Sequence, residues 1–302
     1  MKGAPMAVLA HVSDLHATPV RVRRLSDFAG KRFLGWLSWR LRRCKIHDVR
    51  VLEALVADLC TTAPDQIAVT GDLTNVACRE EFSEVLGWLE HLGDVRQVSV
   101  VPGNHDAYVA VPREASWDHW VDYLRSDGET GPVAFPTLRT RGPLALVGVN
   151  SAHPTPPLFA SGTVGSSQLE ALERRLGELA ESGLCRVILI HHPITEGAVS
   201  SRRALGDAGA LRAVLGRAGA ELVLHGHGHR TLFSEVPGPA GPIPVVGVRS
   251  ATDITDRDEK RAQYHLYEIE SRGSGFRITA RIRGWDGTSR FEPVAERVLG
   301  AG

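Results

Sequence analysis

The sequence is poor in cysteine, long apolar runs and net charge, and each of these features excludes a class of protein. Its four cysteines are scattered along 302 residues with no Cys-x-x-Cys pair, so we expect neither a disulfide framework nor a thiolate zinc site, and a reducing cytoplasm is the default location. No window holds about 18 uninterrupted apolar residues, and the first ten residues lack an apolar core, so we expect neither a spanning helix nor a secretory leader. Thirty-five basic residues balance 35 acidic ones, so no nucleic-acid partner is expected.

Lysine is also scarce, with four lysines against 31 arginines, a bias that is typical of a GC-rich bacterial genome rather than of a function. The rest of the composition is 43% hydrophobic and 23% charged, which indicates a folded globular chain. We find no internal repeat and no low-complexity linker. The sequence therefore predicts a single domain over residues 1–302, with a basic insert at about 19–47 and a β-rich part at about 242–285.

Short apolar strands alternate with amphipathic helices over most of the chain. The predicted helices cover residues 48–59, 79–92, 166–181 and 209–217. The predicted strands cover residues 7–12, 66–70, 96–101, 144–149, 186–190, 221–224, 242–248, 263–270 and 276–283. This order predicts an α/β fold in which two sheets pack face to face between helices.

Polar residues collect where five of the predicted strands end. In chain order these clusters are Ser13-Asp14-Leu15-His16, Thr70-Gly71-Asp72, Pro102-Gly103-Asn104-His105-Asp106, His191-His192-Pro193 and His225-Gly226-His227-Gly228-His229. Sites in open α/β sheets form at the carboxyl ends of strands. We therefore expect the five clusters to meet on one rim of the molecule.

These clusters offer seven candidate metal ligands: Asp14, His16, Asp72, Asn104, one histidine of the 191–192 pair, His227 and His229. Seven ligands are too many for one zinc-like ion and suit two ions that share a bridging carboxylate. Asp72 lies in the middle of the set and is the natural bridge. We expect Asp-x-His and His-x-His to place both side chains on one face of an extended backbone. Glycines before Asp72, Asn104 and His227 are expected to let the chain turn tightly.

The ordered motifs Asp14-x-His16, Gly71-Asp72, Gly103-Asn104-His105-Asp106, His191 and Gly226-His227-x-His229 resemble the calcineurin-like metallophosphoesterase family over residues 8–232. The resemblance implies a four-layer α/β/β/α sandwich of two mixed sheets flanked by helices, with a dinuclear metal centre. It places Asp14, His16, Asp72 and His229 on one metal, and Asp72, Asn104, His191 and His227 on the other.

The resemblance also assigns roles beyond the ligands. His105 would face the substrate as the catalytic residue, with Asp106 orienting it. His191 is chosen over His192 because relatives often carry the ligand two residues before a proline, and because Ile190 is the last apolar residue of the strand. His192 and Asn75 are expected to bind the substrate.

The implied activity is hydrolysis of a phosphodiester or pyrophosphate bond by a hydroxide that bridges two divalent ions. Mixed Asp, Asn and His ligands favour Mn, Fe or Zn over Ca, without choosing among the three. A cyclic-nucleotide phosphodiesterase is the alternative among enzymes. A non-catalytic scaffold of the same fold is the alternative from another class, but it predicts gaps in the ligand set, and no ligand is missing.

A basic insert from Pro19 to His47 separates the first motif from the next helix. It carries nine basic residues and one acid, Asp27, so its charge is +8 and the rest of the chain totals −8. Read as a helix, it has Phe33, Leu37 and Leu41 along one face. Its other large apolar residues include Phe28, Leu34, Trp36 and Trp39.

Three interpretations of the insert stay open: peripheral contact with an anionic membrane, a lid over the site, or a dimer contact. A membrane-facing lid would admit the acyl chains of a lipid-linked phosphodiester or pyrophosphate. In this respect the chain resembles the lipid A pathway pyrophosphatases that cleave UDP-diacylglucosamine. The expected location is the cytoplasm, at the inner face of the cytoplasmic membrane under the first interpretation.

Overall fold

The computed structural model describes residues 6–16, 19–21, 30–255, 257, 259–273 and 275–301, in which twelve strands form two six-stranded sheets. Strands are numbered along the chain. The first sheet contains β1 (Met6–Val12), β2 (Gln66–Val69), β3 (Val98–Val100), β10 (Gln263–Arg272), β11 (Gly275–Trp285) and β12 (Phe291–Ala301). Their spatial order is β12-β11-β10-β1-β2-β3. Strands β1, β2 and β3 are parallel, and β10 to β12 are antiparallel to their neighbours.

The second sheet has the spatial order β4-β5-β6-β7-β9-β8. Its strands β5, β6, β7 and β9 are parallel, and the two edge strands are antiparallel to their neighbours. The strands are β4 (Thr137–Arg141), β5 (Leu144–Gly148), β6 (Cys185–Leu189), β7 (Leu222–His225), β8 (Leu232–Val236) and β9 (Ile243–Gly247). The helices are α1 (Lys31–Leu41), α2 (Val49–Thr62), α3 (Arg79–Leu92), α4 (Val121–Leu124), α5 (Ser166–Leu179) and α6 (Ala208–Ala218).

Three apolar layers hold the sandwich together, because successive side chains of a strand point to opposite faces. Leu9 of β1 packs between the two sheets with Val187 and Tyr267. Its neighbour Ala10 points the other way, into the layer formed with helices α2 and α3. Helices α5 and α6 cover the outer face of the second sheet. The predicted α/β/β/α sandwich of two mixed sheets is confirmed.

Strands β4, β8 and β12 are absent from the sequence prediction, and each lies at the edge of its sheet. An edge strand pairs on one side only and need not be apolar on both faces. Val294 and Val298 of β12 are exposed, and charged residues occupy much of the rest of that strand. The apolar run that marks an interior strand is therefore missing from its sequence. The predicted loop at residues 237–242 does join β8 to β9 as a hairpin.

The described part of the basic insert forms α1 and packs against the loops of the first sheet. Trp36 and Trp39 contact a small apolar cluster that contains Val20 and Val76. The opposite face of α1 is apolar and exposed: Phe33, Leu34, Leu37 and Leu41 are 37–61% accessible. Residues 22–29 of the insert, including Asp27 and Phe28, lie outside the described residues. Among the described helices none combines the length and the hydropathy needed to cross a bilayer.

Candidate metal centre

The loops that follow the parallel strands are tied to one another by main-chain hydrogen bonds. The N–H of Asp14 donates to the carbonyl of Gly71 at 2.9 Å, and the N–H of His16 donates to the carbonyl of Asp72 at 3.1 Å. A bond between the two sheets joins the N–H of His227 to Oδ2 of Asp14 at 3.0 Å. The structure thus brings the predicted clusters to one rim.

Five of the candidate ligands adopt a left-handed backbone conformation, which non-glycine residues rarely adopt. The φ angles are 52° at Asp14, 43° at His16, 55° at Asp72, 63° at His227 and 49° at His229. The expectation of side chains alternating along an extended backbone is therefore wrong for both motifs. The side chains converge because the chain turns sharply after each strand. Each such residue costs on the order of 1 kcal/mol, a strain that is typical of functional sites.

The three glycines next to the ligands serve two purposes. Gly71 has a φ of 89°, so it makes the tight turn that was predicted. A Cβ at Gly103 would collide with the main chain and carboxylate of Asp72, and a Cβ at Gly226 would lie 2.5 Å from Oδ2 of Asp14. Gly103 and Gly226 are therefore needed for the close approach of loops from different strands.

One group of ligand atoms comes from Asp14, His16 and His229, whose potential ligand atoms all lie within 4.8 Å of one another. Nε2 of His229 is 3.1 Å from Oδ1 of Asp14. That oxygen is buried and accepts no hydrogen bond from the residues that the structure describes. A buried carboxylate oxygen without a donor is expected where a cation binds.

A second group comes from Asp72, His191 and His227, again within 4.8 Å of one another. Nε2 of His191 lies 3.3 Å from Oδ2 of Asp72, 3.1 Å from Oδ1 of Asn104 and 3.2 Å from Nδ1 of His227. Oδ2 of Asp72 is also 3.9 Å from Nε2 of His16 in the first group. Asp72 therefore lies between the two groups, where a bridging ligand would stand.

Backbone carbonyls hold three of the histidines so that one ring nitrogen faces the centre. Nδ1 of His16 donates to the carbonyl of Thr74 at 3.0 Å, and Nδ1 of His191 donates to the carbonyl of Thr70 at 2.7 Å. His227 is held through its other nitrogen, Nε2, which is 2.9 Å from the carbonyl of Arg203. Such bonds fix the tautomer and leave a lone pair directed inward, as metal-ligating histidines require.

The carboxylates of the centre stay ionised although they are buried. Burial by itself raises the pKa of Asp72, but His191 and His105 beside it hold that pKa well below its usual range. Burial also raises the pKa of Asp14, but His229 together with His191 lowers it overall. Burial lowers the pKa of His191, but the attraction of Asp72 raises it to about 9, so a metal ion that binds there would displace the proton from Nε2. Two anionic carboxylates among nitrogen and amide-oxygen donors fit a pair of divalent cations.

Asp106 holds the loops of the site together and does not orient the His105 ring directly. Its Oδ1 accepts from the N–H groups of Leu73 at 3.0 Å and Thr74 at 2.9 Å. Its Oδ2 accepts from the N–H of Gly103 at 2.9 Å. The predicted contact with His105 is corrected: the carboxylate joins the loop of the second strand to that of the third. Burial, followed by nearby Asp72, raises the pKa of Asp106 to about 7.

His105 lies at the mouth of the centre. Its main-chain N–H donates to Oδ1 of Asp72 at 2.7 Å, and its Nδ1 donates to the carbonyl of Asn75 at 2.5 Å. Its ring stacks on Tyr108, with centroids 5.6 Å apart, and meets the His16 ring edge-on at 4.8 Å. Burial lowers the pKa of His105 to about 4. The ring is therefore neutral near pH 7 until an anion approaches it.

His192 and Asn75, the two predicted substrate-binding residues, are buried beneath the centre. The ring nitrogens of His192 lie 2.7 Å from Oγ of Ser151 and 3.2 Å from the carbonyl of Ala160. The amide of Asn75 donates to the carbonyl of His16 at 3.3 Å. Neither side chain is accessible to solvent in this structure, so we assign both to supporting the loops.

Two residues of the insert belong to the site although the sequence did not single them out for it. The ring of His47 is 4.7 Å from that of His16, and its Nδ1 is 2.9 Å from Oγ1 of Thr252. The Nη1 of Arg43 lies 3.1 Å from Nδ1 of His105, which is 62 residues further along the chain. The sequence marks Arg43 only as one member of a run of basic residues, and such a run does not indicate which residue it will contact.

Solved structures with a similar fold include three hydrolases. A dimetal phosphatase from Danio rerio superposes with a TM-score of 0.67 at 13% identity, over 97% of this chain and 98% of that chain. The purple acid phosphatase PPD1 of yellow lupin has a TM-score of 0.58 at 10% identity, over 98% of this chain and 54% of its own. A 5'-nucleotidase precursor from Thermus thermophilus has a TM-score of 0.52 at 15% identity, over 97% and 54%. This chain spans about half the length of the last two, and at these identities the likeness shows the fold alone.

Comparison with curated protein sequences gave no match. The family model described as calcineurin-like phosphoesterase, in contrast, matches residues 7–231. That range covers most of the chain and includes all five motifs whose loops form the centre. The predicted resemblance is confirmed, and the chain belongs to the calcineurin-like phosphoesterase family.

Proposed function

We propose that this protein hydrolyses phosphodiester or pyrophosphate bonds with two divalent metal ions held at the rim of its sheets. The observation that carries the proposal is the convergence of potential ligand atoms around Asp72. They form three groups whose atoms lie within 4.8 Å of one another: Asp14, His16 and His229; His16, Asp72 and His105; and Asp72, His191 and His227. Bound there, two ions would neutralise the phosphoryl oxygens and supply an activated water. One ion would be held by Asp14, His16, Asp72 and His229, and the other by Asp72, Asn104, His191 and His227.

Asp72 is proposed as the shared ligand because one of its oxygens faces both groups. Oδ2 lies 3.9 Å from Nε2 of His16 and 3.3 Å from Nε2 of His191. Oδ1 is engaged by the main-chain N–H of His105 at 2.7 Å, which fixes the rotation of the carboxylate. Replacing Asp72 should therefore remove both ions rather than one.

His105 is proposed to act on the leaving group. Nδ1 of His105 donates a hydrogen bond to the carbonyl of Asn75, which leaves Nε2 able to accept or donate a proton. An anionic phosphoryl group beside the ring raises the pKa of His105 from its low resting value by favouring the charged form. The imidazolium then stabilises the developing charge or protonates the leaving oxygen. His105→Ala should lower kcat by about 10²–10⁴-fold while metal content stays unchanged.

The physiological metals are proposed to be Mn, Fe or Zn. Carboxylate and amide oxygens suit Mn, and imidazole nitrogens suit Fe and Zn, so the mixed set accommodates all three. Elemental analysis of the protein as purified, followed by reconstitution with each metal alone, identifies the ion that supports turnover.

Metal analysis combined with hydrolysis of bis(p-nitrophenyl) phosphate tests the proposal. The wild-type protein should hold two ions and turn over, and Asp72→Asn should lose both ions and the activity. Asp118→Asn serves as the matched control, because that carboxylate is on the surface, 42% exposed, beside Arg113. A wild-type protein that binds no metal and hydrolyses nothing with added Mn²⁺ would contradict the proposal and favour the non-catalytic scaffold.

We further propose that the substrate is linked to a lipid, and a separate observation supports this. The face of α1 that points away from the protein exposes Phe33, Leu34, Leu37 and Leu41, while the segment after α1 reaches His105 through Arg43. Basic residues beside an apolar face suit an anionic membrane, at about 1 kcal/mol for each basic side chain near the surface. A substrate such as UDP-diacylglucosamine would then enter along α1, so this helix would serve both as the membrane contact and as the lid.

Co-sedimentation with liposomes that contain anionic lipid tests the membrane contact. The double substitution Leu34→Ser with Leu37→Ser should reduce binding, whereas Val298→Ser, at an exposed position on β12, should not. Equal partitioning of the wild type, the double variant and Val298→Ser would contradict the membrane interpretation. Loss of a dimer in the double variant would favour the interpretation of the insert as a dimer contact. An assay panel of UDP-diacylglucosamine, cyclic nucleotides and glycerophosphodiesters separates the lipid-linked substrate from the cyclic-nucleotide alternative.

A further inference from the structure

Arg43 is a largely buried cation that forms no ion pair with the residues that the structure describes. Its Nη1 lies 3.1 Å from Nδ1 and 3.3 Å from Nε2 of His105, and its Nη2 donates to the carbonyl of Gly35 at 3.3 Å. Its Nε is buried and has no hydrogen-bond partner among the described residues. No carboxylate in that part of the chain forms an ion pair with it. A guanidinium taken out of water without an anionic partner is costly, which favours a site that receives an anion.

The two nearest carboxylates have other partners. Glu81 accepts hydrogen bonds from the N–H groups of Asn75 at 2.6 Å, Val76 at 3.0 Å and Cys78 at 2.9 Å. Asp72 lies between the two ligand groups and accepts from the N–H of His105. Arg43 is therefore not the structural partner of either acid.

The position of Arg43 sets what kind of anion it meets. It lies against the ring of His105, whose main chain is bonded to Asp72. The His105 residue therefore stands between Arg43 and the proposed metal ligands, and Arg43 lies outside the ligand groups. Lys31 adds a second positive charge near His105, since its Nζ is 4.2 Å from the centre of the Tyr108 ring that stacks on His105. A planar guanidinium suits two oxygens of one phosphoryl group.

We propose that Arg43 binds a second, non-reacting phosphoryl group of the substrate, so that the site prefers a diphosphate to a single phosphate. The inference rests on the proposed function and narrows it from phosphodiesters in general to pyrophosphate-containing substrates. The reacting phosphoryl group lies at the metal ligands, and the next phosphoryl group along the substrate lies beyond His105 against the guanidinium. Arg43 is a specificity-determining residue under this proposal.

Competition between two nucleotides tests the role of Arg43. AMP and ADP differ by one phosphoryl group, so the ratio of their inhibition constants against bis(p-nitrophenyl) phosphate hydrolysis, in excess Mn²⁺, isolates the effect of that group. The wild-type ratio should favour ADP by about ten-fold or more, the range of a charge-assisted hydrogen bond. Arg43→Gln should abolish the preference, and Arg43→Lys should keep part of it, because the charge remains but the planar fork does not.

Arg42→Gln is the matched control, because it removes a positive charge from the adjacent, exposed position and should leave the ratio unchanged. A purely structural role of Arg43 would lower the melting temperature or kcat without moving the ratio. Equal ratios in wild type and Arg43→Gln would overturn the proposal. If Arg43→Gln does not fold, an unchanged ratio in Arg43→Lys would overturn it.

Titration calorimetry of ADP and AMP, with and without Mn²⁺, gives the same comparison without turnover. If the wild-type protein hydrolyses nothing yet binds ADP more tightly than AMP through Arg43, the proposed function fails and the anion site stands. If it hydrolyses bis(p-nitrophenyl) phosphate and shows no Arg43-dependent preference, the function stands and this inference fails.

Discussion

The main-chain N–H of His227 donates a 3.0 Å hydrogen bond to Oδ2 of Asp14, although 213 residues separate them along the chain. The other oxygen of the same carboxylate is 3.1 Å from Nε2 of His229. Asp14 follows β1 of the first sheet, and His227 follows β7 of the second. A single carboxylate therefore joins the two sheets and also offers an oxygen to a metal, so assembly of the sandwich and formation of the centre are coupled.

This coupling predicts the effect of Gly226→Ala. The added Cβ would lie 2.5 Å from Oδ2 of Asp14 and closer still to the hydroxyl of Ser13. We expect a loss of stability of about 1–3 kcal/mol, typical of overpacking, together with loss of metal binding. Urea unfolding and metal analysis measure the two effects. Gly228→Ala is the control, because its nearest new contact is at 3.9 Å, and wild-type behaviour of Gly226→Ala would contradict the coupling.

Asp106→Asn tests whether Asp106 connects the loops after β2 and β3 or orients the ring of His105. The amide would present an N–H₂ group to at least one of the N–H donors of Leu73, Thr74 and Gly103 that the carboxylate now satisfies. One unsatisfied buried group costs about 1–3 kcal/mol. We expect weaker metal binding and a lower free energy of unfolding. If only the pH profile of kcat moved, with metal affinity and stability unchanged, Asp106 would act on His105 after all.

His265 predicts a loss of stability in acid. Burial, with Arg249 nearby, lowers the pKa of His265 to about 3 in the folded protein, against about 6.5 in an unfolded chain. Between these two values the unfolded chain binds a proton that the folded protein does not. Stability is therefore complete above pH 6.5 and falls as the pH decreases, by up to about 1.4 kcal/mol per pH unit for this residue.

Urea unfolding in the presence of a chelator at pH 7 and pH 5 measures this effect. His265→Gln should reduce the loss between the two pH values by about 2 kcal/mol. His119→Gln, at an exposed position, should leave the loss unchanged. An identical loss in wild type and His265→Gln would show that His265 is not neutral and buried in the folded protein.

The sequence predicted the interior of the fold and the convergence of the candidate ligands for the same reason. Parallel strands such as β2 and β6 are apolar on both faces and end at one rim, so the residues after them, Asp72 and His191, were identified correctly as neighbours. Edge strands such as β12 were missed because pairing, rather than an apolar pattern, defines them.

The failures at the site have a common cause in tertiary contacts. Asp14 and His16 converge through left-handed turns, which residue types alone do not specify. The contact of Arg43 with His105 spans 62 residues and depends on how α1 docks. The carboxylate of Asp106 was assigned to its sequence neighbour, but its partners, Leu73 and Thr74, belong to another loop.

Anomalous scattering from crystals grown with Mn²⁺ would show whether two metal ions share Asp72. We expect two peaks about 3.5–4 Å apart, one beside Asp14 and His229 and one beside Asn104 and His191, with the carboxylate of Asp72 touching both. A single peak, or two peaks that leave Asp72 uncoordinated, would contradict this expectation.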